Sequence, residues 1–128
     1  MQLTLQEEIL VVCHYETMRS GQYLLNDVVT LRRSMRGVYD ITEAEFREML
    51  RRMVEMDNLL EPWKHQLMPS EDKKIRFKYF IVGDMLGRDP LVFHYKLTPL
   101  GWRRQRKLLE DLRKIEGGWK PKKKTDQT

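Results

Sequence analysis

Cysteine is almost missing from this chain. Cys13 stands alone, so no internal disulfide can form, and a reducing, cytoplasmic compartment is the expectation. Long hydrophobic runs are missing as well. The longest, Ile9–Cys13, falls far short of the roughly 20 residues that span a bilayer. The opening MQLTLQEE has neither the basic start nor the apolar centre of a signal peptide. No phosphate-binding glycine loop, HExxH or CxxC occurs, and no Lys-Ser or Lys-Thr follows Gly83 and Gly87. Cys13 and His14 are neighbours on a helical segment, about 100° apart, and make poor metal co-ligands. His65 and His94 read as surface histidines. Glu43, Glu45 and Glu48 are more simply charges favoured at a helix N-terminus than paired catalytic carboxylates. We therefore expect no catalytic residue, no metal and no cofactor, and a protein that is not an enzyme.

What is present is charge, unevenly placed. Residues 1–98 hold 14 Lys/Arg against 15 Asp/Glu, and residues 99–128 hold 10 against 4. The whole positive excess lies at the C-terminal end. Clustered cations are the footprint of polyanion binding; the bland alternative is a solvated helix face with a basic tail. The chain has 128 residues, the size of one domain with one modest core. We place that domain at 1–116. Residues 117–128, with Gly117-Gly118 and WKPKKK, are too polar to fold alone and form a basic disordered tail.

Four helical segments stand out. The first runs from about Leu5 to Met18, with Leu5, Ile9, Val12 and Cys13 on one face. Thr4 caps it, with Glu7 completing a capping box, and Ser20-Gly21 ends it. The second runs from about Leu24 to Met35, with Asn26 or Asp27 as alternative caps. Its stripe is Leu24, Val28, Leu31 and Met35, and Arg32, Arg33 and Arg36 crowd its end, where cations suit the dipole. The third starts at the capping box Thr42-Glu43-Ala44-Glu45 and carries Phe46, Met49, Leu50, Met53 and Val54 as a stripe. The fourth runs from about Pro99 to Ile115, with Thr98 as cap and Pro99 at its first position.

Between the third and fourth helices lies β-type sequence. Ile75, Phe77, Tyr79 and Ile81 alternate with Arg76, Lys78, Phe80 and Val82. Leu91, Phe93, Tyr95 and Leu97 alternate with Val92, His94 and Lys96. A period of two puts alternate side chains on opposite faces. Gly83–Pro90 has loop composition, so we expect these two strands to form a hairpin, with Met85-Leu86 at its tip. Leu59–Trp63 is a short strand that Pro62 confines to an edge or ends. Residues 64–74 read as a polar connector.

Three helices, a hairpin and a closing helix give an α+β, mostly α, winged helix-turn-helix. The stretch FHYKLTPLGWRRQRKLLEDL resembles the end of the wing and the start of the last helix in PadR- and MarR-type regulators. Tyr95, Leu97, Thr98 and Gly101 match their pattern. ITEAEFREMLRRMVEMDNLLEP is similar to their recognition helix and its exit, with Asn58 at the position that needs a left-handed backbone. The resemblance spans roughly residues 5–112. It implies binding to double-stranded DNA, with the third helix in the major groove and the wing on the backbone. Thr42, Arg47, Arg51 and Arg52 would face DNA, with Arg47 and Arg51 at base edges. Lys73, Lys74, Arg76, Lys78 and Arg88 would be wing contacts to phosphate. The final helix of these families often builds a homodimer, which here implies a seam of Leu108, Leu112 and Ile115. Packing of that helix against the first helix of the same chain is the other reading.

One departure matters. Residues 42–57 hold three Arg against five Asp/Glu, and phosphates repel an acidic helix. Two alternatives stay open. The domain is a protein-protein interaction module, or the basic hairpin, the last helix and the tail hold DNA while the third helix supports them.

Overall fold

The computed structural model describes residues 3–36, 41–69, 75–83 and 85–114. The chain is α+β and mostly helical, with four α-helices and one four-stranded antiparallel sheet of order β1-β4-β2-β3.

Helix α1, Leu5–Val12, begins at the expected capping box: Thr4 Oγ1 accepts from the Glu7 N–H and the Glu7 carboxylate accepts from the Thr4 N–H. It ends a turn and a half sooner than its apolar spacing suggests. Cys13 turns extended, and the His14 carbonyl then accepts from the Leu97 N–H at 2.7 Å. The carbonyls of Leu10 and Cys13 accept from the Gln105 side chain at 2.6 and 2.8 Å. A tertiary partner ends the helix, and no local sequence signal announces it.

Strand β1, Arg19–Ser20, is two residues long and pairs with Tyr95 and His94. Helix α2, Gly21–Arg36, starts directly after it, three residues before the expected Leu24. Ser20 Oγ accepts from the Tyr23 N–H, so Ser20 caps α2 rather than ending α1. Gly21 is required there, because a Cβ would lie 2.7 Å from the Leu91 Cα.

Helix α3, Glu43–Glu55, is capped by Thr42 through the Glu45 N–H. Its exit widens: Asp57 donates to the Arg52 carbonyl and Leu59 to the Met53 carbonyl. Asn58 takes φ 53°, the left-handed conformation expected of it.

Strands β2, Leu60–Pro69, and β3, Ile75–Ile81, form the hairpin, with Trp63 opposite Ile81 and Pro69 opposite Ile75. This corrects the expected pairing of residues 75–82 with 91–97. The supposed polar connector is mostly strand. Strand β4, His94–Leu97, pairs with the other side of β2, Leu60 opposite Leu97. Residues 82–93 therefore cross from one side of β2 to the other. Met85, Pro90 and Leu91 anchor this segment in the core while residues 86–89 between them are exposed, and Pro90–Val92 is a 3-10 turn capped by Asp89. Met85 anchors a crossover rather than a hairpin tip, while Leu86 stays exposed. Pro62 is tolerated inside β2 because its carbonyl, and hence its missing N–H, points to the β3 side at the end of that ladder.

Helix α4, Pro99–Arg113, starts as expected, with Thr98 Oγ1 accepting from the Gly101 N–H at 3.0 Å. The same hydroxyl donates to the Asn58 carbonyl at 2.6 Å, and the Thr98 N–H donates to the Leu59 carbonyl at 3.1 Å. The exit of α3 and the entry of α4 are thus one knot.

The main core joins α1, α2 and α3 to one face of the sheet, through residues such as Ile9, Val28, Phe46, Leu50 and Tyr95. A second cluster holds Leu3, Leu108 and Leu112, packed by Val11, Leu31 and Leu109. Glu8 is buried between α1 and α2, where both its oxygens accept from Arg32 Nε. Among the described residues no helix is long and apolar enough to cross a membrane.

Candidate nucleic-acid interface

Helix α3 aims its arginines at its own molecule. Arg47 lies 3.1 Å from Glu43 one turn back and 2.9 Å from Asp89 in the crossover. The same Asp89 oxygen accepts from the Leu91 N–H. The Arg47 hydrogen bond, and then the Leu91 N–H, hold the Asp89 carboxyl below its ordinary range. Arg51 pairs with Glu48 at 3.3 Å and donates to the Arg88 carbonyl at 3.4 Å. Arg52 faces Asp57 at 3.5 Å, and Asp57 also accepts from Gln6 at 2.7 Å. The two residues expected at base edges therefore pin the 85–92 crossover to α3. Thr42 is engaged as a cap. Beyond them the helix presents Glu43, Glu48 and Met56 to solvent.

The β2–β3 hairpin carries Lys64 and Lys78 on one face. Cross-strand partners share a face of the sheet. Lys64 opposite Phe80, and Gln66 opposite Lys78, lie on the side on which the helices pack. Lys78 sits over the Phe80 ring at 5.4 Å. Arg76 stands opposite Met68 in the backbone ladder. Lys73 and Lys74 lie outside the described residues. Arg88 is exposed, but on the crossover rather than on the hairpin. Lys64 was missed by reading the sequence, because residues 64–74 look like a linker. Pro69 and Ser70, followed by Glu71 and Asp72, were the available turn signal.

The opposite face of the sheet is aromatic. His65, Tyr79 and His94 form a three-ring cluster with centroids 5.2–5.8 Å apart. Burial, and secondarily the His65 charge, push the His94 pKa down. Lys96 lies over the Trp63 ring at 4.9 Å, and the Trp63 indole N–H donates to Glu61. No sequence signal placed these rings together, because the strand pairing was expected to be different.

Helix α4 carries a further set of exposed cations. Arg103 and Arg104 are exposed and make no hydrogen bond or ion pair among the described residues. With Lys107 they border a groove whose floor is Leu10 and Leu108. Lys107 pairs with Asp111, and Arg106 sits over Trp102, which stacks on Tyr15. Leu108 and Leu112, the expected dimer seam, are buried in the second cluster of their own chain, and Ile115 lies outside the described residues. Burial first, and then the Asp27 charge, drives the Cys13 thiol pKa up, which favours the neutral thiol. Among the described residues no cluster of His, Cys, Asp and Glu could hold a metal ion.

No family model, curated protein or solved structure matches this chain.

Proposed function

We propose that this chain is a winged-helix protein that binds double-stranded DNA chiefly by its phosphate backbone, as a cytoplasmic transcriptional regulator. The observation that carries DNA binding is charge. Helix α4 holds five Lys/Arg against two Asp/Glu, and Arg103 and Arg104 have no partner among the described residues. Unpaired exposed cations gain most from a polyanion, because phosphate replaces only water and salt. The winged-helix part rests on connectivity: β1 lies between α1 and α2 and pairs with β4, which pairs with β2, the first strand of the long hairpin. Lys64 and Lys78 on that hairpin suit phosphate contacts that position without specifying sequence. Helix α3 supports the hairpin side rather than reading bases, because Arg47 and Arg51 would have to break existing pairs to do so.

A second reading has its own support. The exposed side of α3, with Glu43, Glu48 and Met56, suits a basic protein partner better than DNA. The experiment that separates the two is a salt series of binding to mixed-sequence duplex DNA. It compares the full chain, a chain ending at Gly117 and the double variant Arg103→Glu/Arg104→Glu. The backbone reading expects affinity that survives removal of the tail, falls steeply with salt, and is lost in the double variant. Undiminished binding by the double variant would remove α4 from the interface. No binding by the full chain at physiological salt would leave the interaction-module reading.

A further inference from the structure

Strand β3 ends the sheet order, so its far edge pairs with no strand among the described residues. An open edge seven residues long is a ready template for another strand. In an antiparallel pair the N–H and C=O of one residue point the same way, and successive residues alternate. Val82 donates to the Pro62 carbonyl at 2.9 Å. Stepping back by twos from Val82, the backbones of Phe80, Lys78 and Arg76 face β2. Those of Ile81, Tyr79, Phe77 and Ile75 face outward. The two charged residues of β3 thus sit where the backbone is already bonded, and the outward groups belong to apolar and aromatic residues. The edge is also exposed where its side chains are described: Tyr79 is 39%, Phe80 37% and Ile81 60% accessible.

We infer that β3 is the interface between two copies of this chain, paired antiparallel about a two-fold axis at Tyr79. The strand selects its own copy because it is self-complementary in that register. Tyr79 meets Tyr79 and Phe77 meets Ile81, all with outward backbone groups that bond reciprocally. Between them Lys78 meets Phe80, repeating across the interface the cation–ring contact already made within the chain at 5.4 Å. The competing register, centred on Lys78, also matches outward groups. It sets Lys78 opposite Lys78 in a close pair, and like charges directly opposite destabilise a sheet. The result is a continuous eight-stranded sheet made from two four-stranded ones. This interface replaces the leucine seam of α4, which the chain buries within itself. It does not depend on DNA binding.

The test is sedimentation of the full-length chain across a wide concentration range, with three variants. The expected result is a reversible dimer. Tyr79→Pro removes an N–H that β2 does not use, and Tyr79→Lys sets like charges across the axis. Each is expected to weaken the dimer by roughly tenfold or more while helical circular dichroism is retained. Should Tyr79→Pro disturb the fold, Tyr79→Lys still decides the matter. Lys78→Ala separates the registers: it weakens a dimer centred on Tyr79 and strengthens one centred on Lys78, which would overturn the register. A chain that stays monomeric throughout, or a dimer indifferent to both Tyr79 substitutions, would overturn the interface.

Discussion

Gly101 shows what a single residue contributes here. A Cβ at this position would lie 2.1 Å from the Leu59 carbonyl oxygen, and that oxygen belongs to backbone that already accepts from Thr98. Neither side can yield cheaply. Gly101→Ala is expected to cost on the order of 3 kcal/mol, read as a lowered urea midpoint at unchanged slope. Glu8 is a second such residue. It is 1% exposed and holds Arg32 through both carboxylate oxygens. Glu8→Ala removes a two-oxygen carboxylate partner from a largely buried guanidinium and should destabilise by roughly 3 kcal/mol. Replacing both partners by apolar residues of similar volume should cost much less, and equal losses from the single and double variants would refute the pairing. The histidines set a pH dependence. Burial first, and then the Arg19 charge at His14 and the His65 charge at His94, lowers both pKa values in the folded chain below the ordinary 6.5. As pH falls below about 6.5 the unfolded chain takes up protons first. Stability is therefore full above that value and declines as pH falls towards the lowered folded-state values. Urea midpoints on either side of the window should show the loss, and His94→Gln should reduce it.

At the scale of elements, helices were far more legible than strand pairing. Thr4-Leu5-Gln6-Glu7, Thr42 with Glu45 and Thr98-Pro99 are local signals, and each starts a helix where it was expected. The end of α1 was not legible, since Gln105 and Leu97 terminate it from more than eighty residues away. Alternation gave the right faces for Phe93, Tyr95 and Leu97 but could not say which strand lies beside β4. Gly83–Pro90 has hairpin-loop composition, but the buried Met85, Pro90 and Leu91 hold that segment as a crossover. For the candidate site, the sequence offered Arg47 and Arg51 on α3 but gave no sign of their contacts with Asp89 and the Arg88 carbonyl in that crossover. Arg47→Ala should therefore speed amide exchange at Leu91, whose N–H shares the Asp89 carboxylate with Arg47. If Arg47 serves only DNA, exchange at Leu91 will not change.

For the whole molecule, electrostatics decides more than shape. On the proposed reading, a duplex held by α4 and the hairpin would lose affinity with salt in proportion to the phosphates neutralised. Arg103→Ala and Arg104→Ala should each lower the slope of log affinity against log salt by about one, without changing sequence preference. A change in preference would instead place α4 at base edges. The closing contacts of the fold have a different kind of consequence, one of time. Leu3 packs on Leu108 and Leu112, the Leu10 carbonyl accepts from Gln105, and the Leu59 carbonyl accepts from Thr98. In a chain growing from its N-terminus, these contacts of α1 and of the α3 exit cannot form until residues 98–112 have been made, about forty residues after α3 is complete.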